Sequence, residues 1–188
     1  METIRAFIAI DIGEAIRAKL DELQQKLKKA HADVRWVKPD SMHLTLAFLG
    51  QLPLDKIHPL EAALDTSVQR IFDLEVAGTG FFGKSSRPRV LWAGITDSPP
   101  LMELQHRTVE VLQTAEVEFD SKPFSPHLTL GRIKTPGHTE SLLSKLEHYK
   151  DAPFGRTRIE AVELIHSKPI PHGVEYAVLH RTALGVNN

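Results

Sequence analysis

An α+β fold, with helices on the outer faces of antiparallel sheets around a central cleft, is what this 188-residue sequence predicts. Three observations lead there. Apolar residues at helical spacing recur four times among segments patterned as strands. The order strand, helix, strand, patterned strand runs twice along the chain, which suggests an internal duplication. Each round ends in the same tetrapeptide, His-Leu-Thr-Leu, at residues 43–46 and again at 127–130.

The elements follow in order. Ile4, Phe7, Ile8 and Ile10 mark a buried strand over residues 3–11, and Ile16, Leu20, Leu23 and Leu27 a helix ending near residue 29. A strand at 34–37 leads to the first tetrapeptide strand, 42–49. There Met42, Leu44, Leu46 and Phe48 are expected on the core face, with His43, Thr45 and Ala47 on a face small and polar enough to line a cleft. Ile57, Leu60, Leu64 and Val68 mark a second helix. Strands at 72–76 and 90–95 flank a glycine-rich, basic loop or hairpin at 78–88. Leu101, Leu104, Val111 and Leu112 give a third helix over 100–115, followed by a short strand at 117–119 and the second tetrapeptide strand at 124–133. Leu142, Leu143 and Leu146 mark a fourth helix, and strands at 158–166 and 174–184 close the chain. Residues 1–188 are read as a single domain of two tightly joined lobes.

Composition narrows the function. With 41% hydrophobic residues the chain can bury a real core. A formal charge of −1 argues against a broad electrostatic grip on duplex nucleic acid, while a local basic cleft can still receive a short anionic ligand such as an RNA end. The absence of cysteine removes disulfides, thiolate zinc sites and a cysteine nucleophile. No leader-like segment or membrane-length apolar run is seen, so a cytoplasmic protein without a membrane partner is expected.

Ten histidines and twelve threonines in 188 positions give roughly 0.6 His-x-Thr matches by chance. The chain holds four. His106-Arg107-Thr108 lies in a helix pattern, where positions i and i+2 diverge, and His180-Arg181-Thr182 puts an arginine on a face expected to be buried; both are read as surface features. The other two share an upstream proline (Pro39; Pro123 and Pro126) and a following glycine (Gly50; Gly131), marks of short strands with defined ends. Each offers an imidazole beside a hydroxyl, half of an acid/base site. A pseudo-two-fold arrangement would bring His43 and His127 to opposite walls of one groove.

Over nearly its whole length the chain resembles the two-histidine (2H) phosphoesterases, and among them the bacterial and archaeal RNA 2',3'-cyclic phosphodiesterases, also called 2'-5' RNA ligases. The resemblance rests on residues 5–11 (RAFIAID), 34–37 (VRWV), 43–50 (HLTLAFLG), 87–94 (RPRVLWAG) and 122–132 (KPFSPHLTLGR). It implies a bilobal α+β fold with one His-x-Thr motif from each lobe, acting without metal or cofactor on cyclic phosphodiesters at RNA ends. By that likeness His43 protonates the departing O3' and His127 activates water, although from the side chains alone the two roles can be exchanged. Thr45 and Thr129 hydroxyls suit hydrogen bonds to the non-bridging phosphoryl oxygens.

Arg132 is the expected anion contact, although strict alternation would put it on the leucine face unless the strand twists or ends at Gly131. Trp36 and Phe48 are candidates to stack a base. Arg87 and Arg89 are read as solvated surface, and His31, His58, His106, His138, His148, His166, His172 and His180 as structural or solvated. A monomer is expected. Alternative readings are a phosphodiesterase of small cyclic phosphates, such as ADP-ribose 1'',2''-cyclic phosphate or cyclic nucleotides, and a nucleotide-binding module that does not turn over. A zinc site finds no carboxylate or second histidine at ligand spacing in either motif.

Overall fold

The computed structural model describes residues 2–67, 70–135, 137, 139–171 and 173–185; Val68, His138 and His172 lie outside them. Its elements are β1 (Thr3–Ile10), α1 (Glu14–Lys28), β2 (Val34–Trp36), β3 (Leu44–Pro53), α2 (Ile57–Thr66), β4 (Phe72–Lys84), β5 (Arg87–Ile95), α3 (Pro99–Thr114), β6 (His127–Ile133), α4 (Glu140–Glu147), β7 (Pro153–Ile159), β8 (Ala161–Ile170) and β9 (Gly173–Ala183). They form two wholly antiparallel sheets. Sheet A runs β3-β1-β8-β9 and sheet B runs β2-β6-β5-β4-β7. If β2 is set aside, the two orders correspond strand for strand, with β3 and β6 in equivalent places, which is the pseudo-symmetry that the repeated tetrapeptide predicts.

Each helix buries one apolar stripe. Ile16, Leu20, Leu23 and Leu27 of α1 and Leu142 and Leu146 of α4 pack on sheet B; Leu60 and Leu64 of α2 and Leu101, Leu104 and Leu112 of α3 pack on sheet A. These stripes join the inner residues of both sheets in one continuous core, where each fully buried leucine or isoleucine contributes on the order of 1.5–3 kcal/mol. The lobes are interleaved in sequence. The chain passes from β1 in sheet A to α1 and β2 beside sheet B, then returns to sheet A with β3. The other faces of the two sheets, free of helices, form the walls of the cleft.

Two readings of the sequence are corrected here and one is narrowed. Residues 117–119 do not form a strand, because the chain turns back on α3 and the Val117 N–H donates to the Leu112 carbonyl at 2.9 Å. The segment 78–88, read as a loop or hairpin, is a hairpin: β4 and β5 extend into it and pair as far as Lys84 opposite Arg87. The predicted strand at 158–166 is the end of β7 joined to most of β8. The alternation of β7 (Pro-Phe-Gly-Arg-Thr-Arg-Ile) carries only Phe154 and Ile159 inward, too few to announce a strand by apolar pattern.

Candidate active site

His43 stands at the crossing between the sheets. β2 pairs with β6 in sheet B; a 3-10 turn at Pro39–Ser41 follows, and β3 then begins at Leu44 in sheet A. Proline opens that turn with its φ already set, and the Met42 N–H closes it on the Pro39 carbonyl at 3.0 Å. His127 is the first residue of β6. β3, at the edge of sheet A, lies against β6, and the Asp120 N–H donates to the Phe48 carbonyl at 2.8 Å.

The imidazole of His43 is stacked on Phe7, with ring centroids 4.6 Å apart and planes 20° from parallel. Tyr176 meets it edge-on at 5.1 Å and also meets Phe7 at 5.2 Å. Burial among these rings, followed by the nearby Arg17 guanidinium, lowers the pKa of His43 from 6.5 to about 4, while a hydrogen bond to the Ser41 backbone acts the other way. Arg17 is itself held by Asp11.

His127 meets Phe82 edge-on at 4.8 Å, and Phe82 in turn packs on Trp92 at 5.6 Å. Its Nδ1 lies 2.7 Å from the Ser125 carbonyl oxygen. A carbonyl only accepts, so Nδ1 carries the proton, and in the neutral ring Nε2 is left with a free lone pair. Burial lowers this pKa too; the Ser125 bond opposes the shift, and the Arg132 charge adds to it. The two sites therefore share a longer motif, Ser-x-His-Leu-Thr-Leu, in which the backbone of the serine two residues ahead holds the imidazole. That serine is legible in the sequence, at 41 and 125, once the two copies are aligned.

Both motif strands carry a β-bulge at the same place. In β3, Thr45 pairs with Ala9 and Ala47 with Ile8, so Leu46 has no partner; in β6, Thr129 pairs with Trp92 and Gly131 with Leu91, so Leu130 has none. One extra residue reverses the alternation beyond it. Phe48 therefore shares the face of Thr45, and Arg132 the face of His127 and Thr129, whereas Ala47 turns into the core. This corrects the expected faces of Phe48 and Ala47 and resolves that of Arg132. Phe48 is 50% exposed beside Phe7, with ring centroids 6.2 Å apart, and Arg132 is close enough to His127 to depress its pKa.

Trp36 is placed elsewhere. It pairs with Gly131 on the core side of sheet B, with the Lys28 ammonium 5.9 Å from its ring centroid, so the strand register turns it away from the imidazoles. Of the remaining His-x-Thr copies, His106 pairs with Glu110 on exposed α3, while His180 and Thr182 both bind Asp65 at 2.8 Å and tie β9 to α2. Arg181 between them faces the cleft opposite Glu163. Phe7, Tyr176, Phe82, Trp92 and Arg17 join the site without any signal in the motifs, brought there by strand register or, for Arg17, by the helix.

Buried Gln24 of α1 donates from Nε2 to the Val37 carbonyl at 2.8 Å and to the Leu130 carbonyl at 2.7 Å. It thereby secures both the approach to His43 and the bulge of the second motif. Among the described residues, no three histidine, aspartate, glutamate or cysteine side chains converge to hold a metal ion, and no helix is long and apolar enough to cross a membrane.

Taken together these features are an imidazole and a hydroxyl from each of two sheets, each imidazole with aromatic rings and an arginine beside it. Known proteins resemble this chain over nearly its whole length. The family model described as LigT-like phosphoesterase matches residues 10–92. The RNA 2',3'-cyclic phosphodiesterase of Thermotoga maritima is 33% identical, with 94% of each chain covered, and that of Methanothermobacter thermautotrophicus 29% identical, covering 92% of this chain and 95% of its own. Among solved structures, a Thermus thermophilus protein superposes with TM-score 0.78 at 30% identity, covering 96% of this chain and 98% of its own. E. coli LigT complexed with 3'-AMP superposes with TM-score 0.78 at 26% identity, covering 97% and 99%. The chain described here belongs to the LigT-like phosphoesterase family.

Proposed function

We propose that this protein hydrolyses the 2',3'-cyclic phosphodiester at an RNA end to a 2'-phosphomonoester, with His43 and His127 as the acid/base pair. What carries this reading is the pair of Ser-x-His-x-Thr units, one entering each sheet, with the threonines on the sheet faces turned away from the helices. The printed names of the relatives support the RNA substrate, and the 3'-AMP complex of E. coli LigT supports a nucleotide ligand.

Water attacks phosphorus opposite O3'. A new P–O bond forms as the P–O3' bond breaks; the water proton passes to Nε2 of His127, and His43 gives a proton to O3'. The Nδ1 bond of His127 to the Ser125 carbonyl supports its role as acceptor, since it leaves Nε2 unprotonated. In the free protein the pKa of His43, about 4, keeps it neutral at pH 7, so its donor role depends on the substrate. A bound cyclic phosphate brings a negative charge to a desolvated ring and raises that pKa, which charges the donor only when there is something to protonate. The Thr45 and Thr129 hydroxyls and the Arg132 guanidinium take the non-bridging oxygens as charge builds, and Phe48 stacks the terminal base. If an RNA 5'-hydroxyl replaces water, the same transfers make a 2'-5' linkage, a side reaction of the hydrolase.

The test is hydrolysis of a 2',3'-cyclic nucleotide in the presence of a chelator. His43→Ala and His127→Ala are each expected to lower kcat by about 10²-fold or more. Most of the rate surviving in either variant overturns the assignment.

A further inference from the structure

The register places more than the reacting groups on the inner face of sheet B. Arg35 of β2 pairs with Arg132 of β6, Arg132 with Val90 of β5, and Val90 with Phe82 of β4; beyond them, Lys84 pairs with Arg87 at the hairpin end. Side chains that pair directly across an antiparallel sheet share a face, and Lys84 follows Phe82 by two residues along β4. A β5 bulge at Arg89, which has no register partner, keeps Arg87 on that face. Because Phe82 touches His127, this is the face of the active site.

Four exposed cations thus lead away from His127 over roughly 20 Å, taking about 3.3 Å per strand residue. Among the described residues none of the four forms an ion pair, whereas Arg156 at the other end of the same sheet is matched by Glu75. The carboxylate nearest Arg35 along the chain, Asp33, is occupied by Thr135 and Lys134. The opposite wall, sheet A, presents Phe48, Tyr176 and Val178, together with Arg5 at one end and Arg181, which is matched by Glu163. A protein with a formal charge of −1 therefore keeps four unneutralised positive charges together on the face of sheet B that carries His127, in two neighbouring rows beyond it.

We propose that Arg35, Arg132, Lys84 and Arg87 form a track for the phosphodiester backbone of the nucleotides preceding the cyclic end, so that RNA runs along sheet B toward the β4–β5 hairpin. The inference rests on the reading above and makes a single-stranded oligonucleotide, rather than a mononucleotide, the preferred substrate. Arg132 serves the terminal phosphate; the other three hold the strand behind it. This replaces the reading of Arg87 as an inert surface arginine.

The test compares a 2',3'-cyclic mononucleotide with cyclic-ended oligonucleotides of two, four and eight residues, using the native protein and the triple variant Arg35→Gln/Lys84→Gln/Arg87→Gln. Thermal melting checks that the variant is folded. In the native protein KM is expected to fall with length. With three phosphate contacts, the affinity for the long substrate falls about twentyfold between 50 and 200 mM salt, from a slope of about 0.7 per contact on single strands. In the variant the gain with length and the salt slope collapse, while kcat/KM for the mononucleotide is unchanged. The proposal is overturned if the native protein gains nothing with length, or if the variant keeps the gain. Fluorescence anisotropy of a labelled, 3'-phosphorylated eight-nucleotide RNA decides the track without catalysis. A protein that binds this RNA through the three cations but hydrolyses no cyclic end keeps the track and loses the phosphodiesterase reading. Equal binding of a polyglutamate peptide of matched charge overturns the track as an RNA site.

Discussion

Burial of the His43 ring carries a consequence for stability that can be worked out before any substrate is added. The folded protein resists protonating this imidazole until the pH reaches about 4, whereas the unfolded chain takes up the proton near 6.5. Because the folded pKa is the lower one, its contribution is fully present above pH 6.5 and is lost as the pH falls toward 4. At about 1.4 kcal/mol for each pKa unit, the gap between 6.5 and about 4 is worth about 3 kcal/mol. The perturbation is His43→Gln, which removes the titrating ring while keeping a polar side chain at that position. The assay is urea unfolding of both proteins at several values between about pH 7 and pH 4. The native protein is expected to lose about 3 kcal/mol more than the variant across that range, with equal m-values. Other ionisable groups are common to both proteins and cancel in the difference. Parallel stability curves would refute the reasoning, since they would mean that the ring is as free to take a proton in the fold as outside it.

Three further outcomes follow from the site and its supports. Since kcat reports the substrate complex and kcat/KM the free protein, a phosphate that raises the His43 pKa moves the alkaline limb of the kcat profile to higher pH than that of kcat/KM; coincident limbs count against His43 as donor. Gly80→Ala puts a Cβ 2.3 Å from the Trp92 indole, so a loss of about 1–3 kcal/mol and altered tryptophan emission are expected, and a silent substitution would show that the indole does not cover Gly80. Gln24→Met leaves the part-buried Val37 carbonyl without its donor, at a cost of about 1 kcal/mol, and loosens the bulge that aims Arg132. The Gln24→Met variant should therefore show a raised KM along with a lower melting temperature; a lower melting temperature with KM unmoved would assign Gln24 to the fold alone.

The four helices were readable because each carries an uninterrupted apolar stripe that must be buried, and Ile16, Leu20, Leu23 and Leu27 are a fair example. The alternation in the motif strands was readable only as far as the bulge. From Leu46 onward the period of two predicts the wrong face for Ala47 and Phe48, because the extra residue is a backbone event that no side-chain pattern announces. The same limit hid β7, whose pairing with β4 supplies the order its own residues lack.

From the sequence alone came the chemistry: two copies of an imidazole and a hydroxyl two residues apart, bounded by proline and glycine, with a resemblance that named the reaction class. Local spacing decides that much, because a strand sends alternate side chains to one side whatever surrounds it. Only the tertiary structure decided what stands around those groups. Tyr176 and Phe7 reach His43 through the register of separate strands, which desolvates the ring and lowers its pKa. Matched bulges turn Phe48 and Arg132 toward the cleft, and cross-strand pairing lines Arg35, Lys84 and Arg87 up behind them. Register depends on hydrogen bonds between distant segments, and those exist only once the sheets are built.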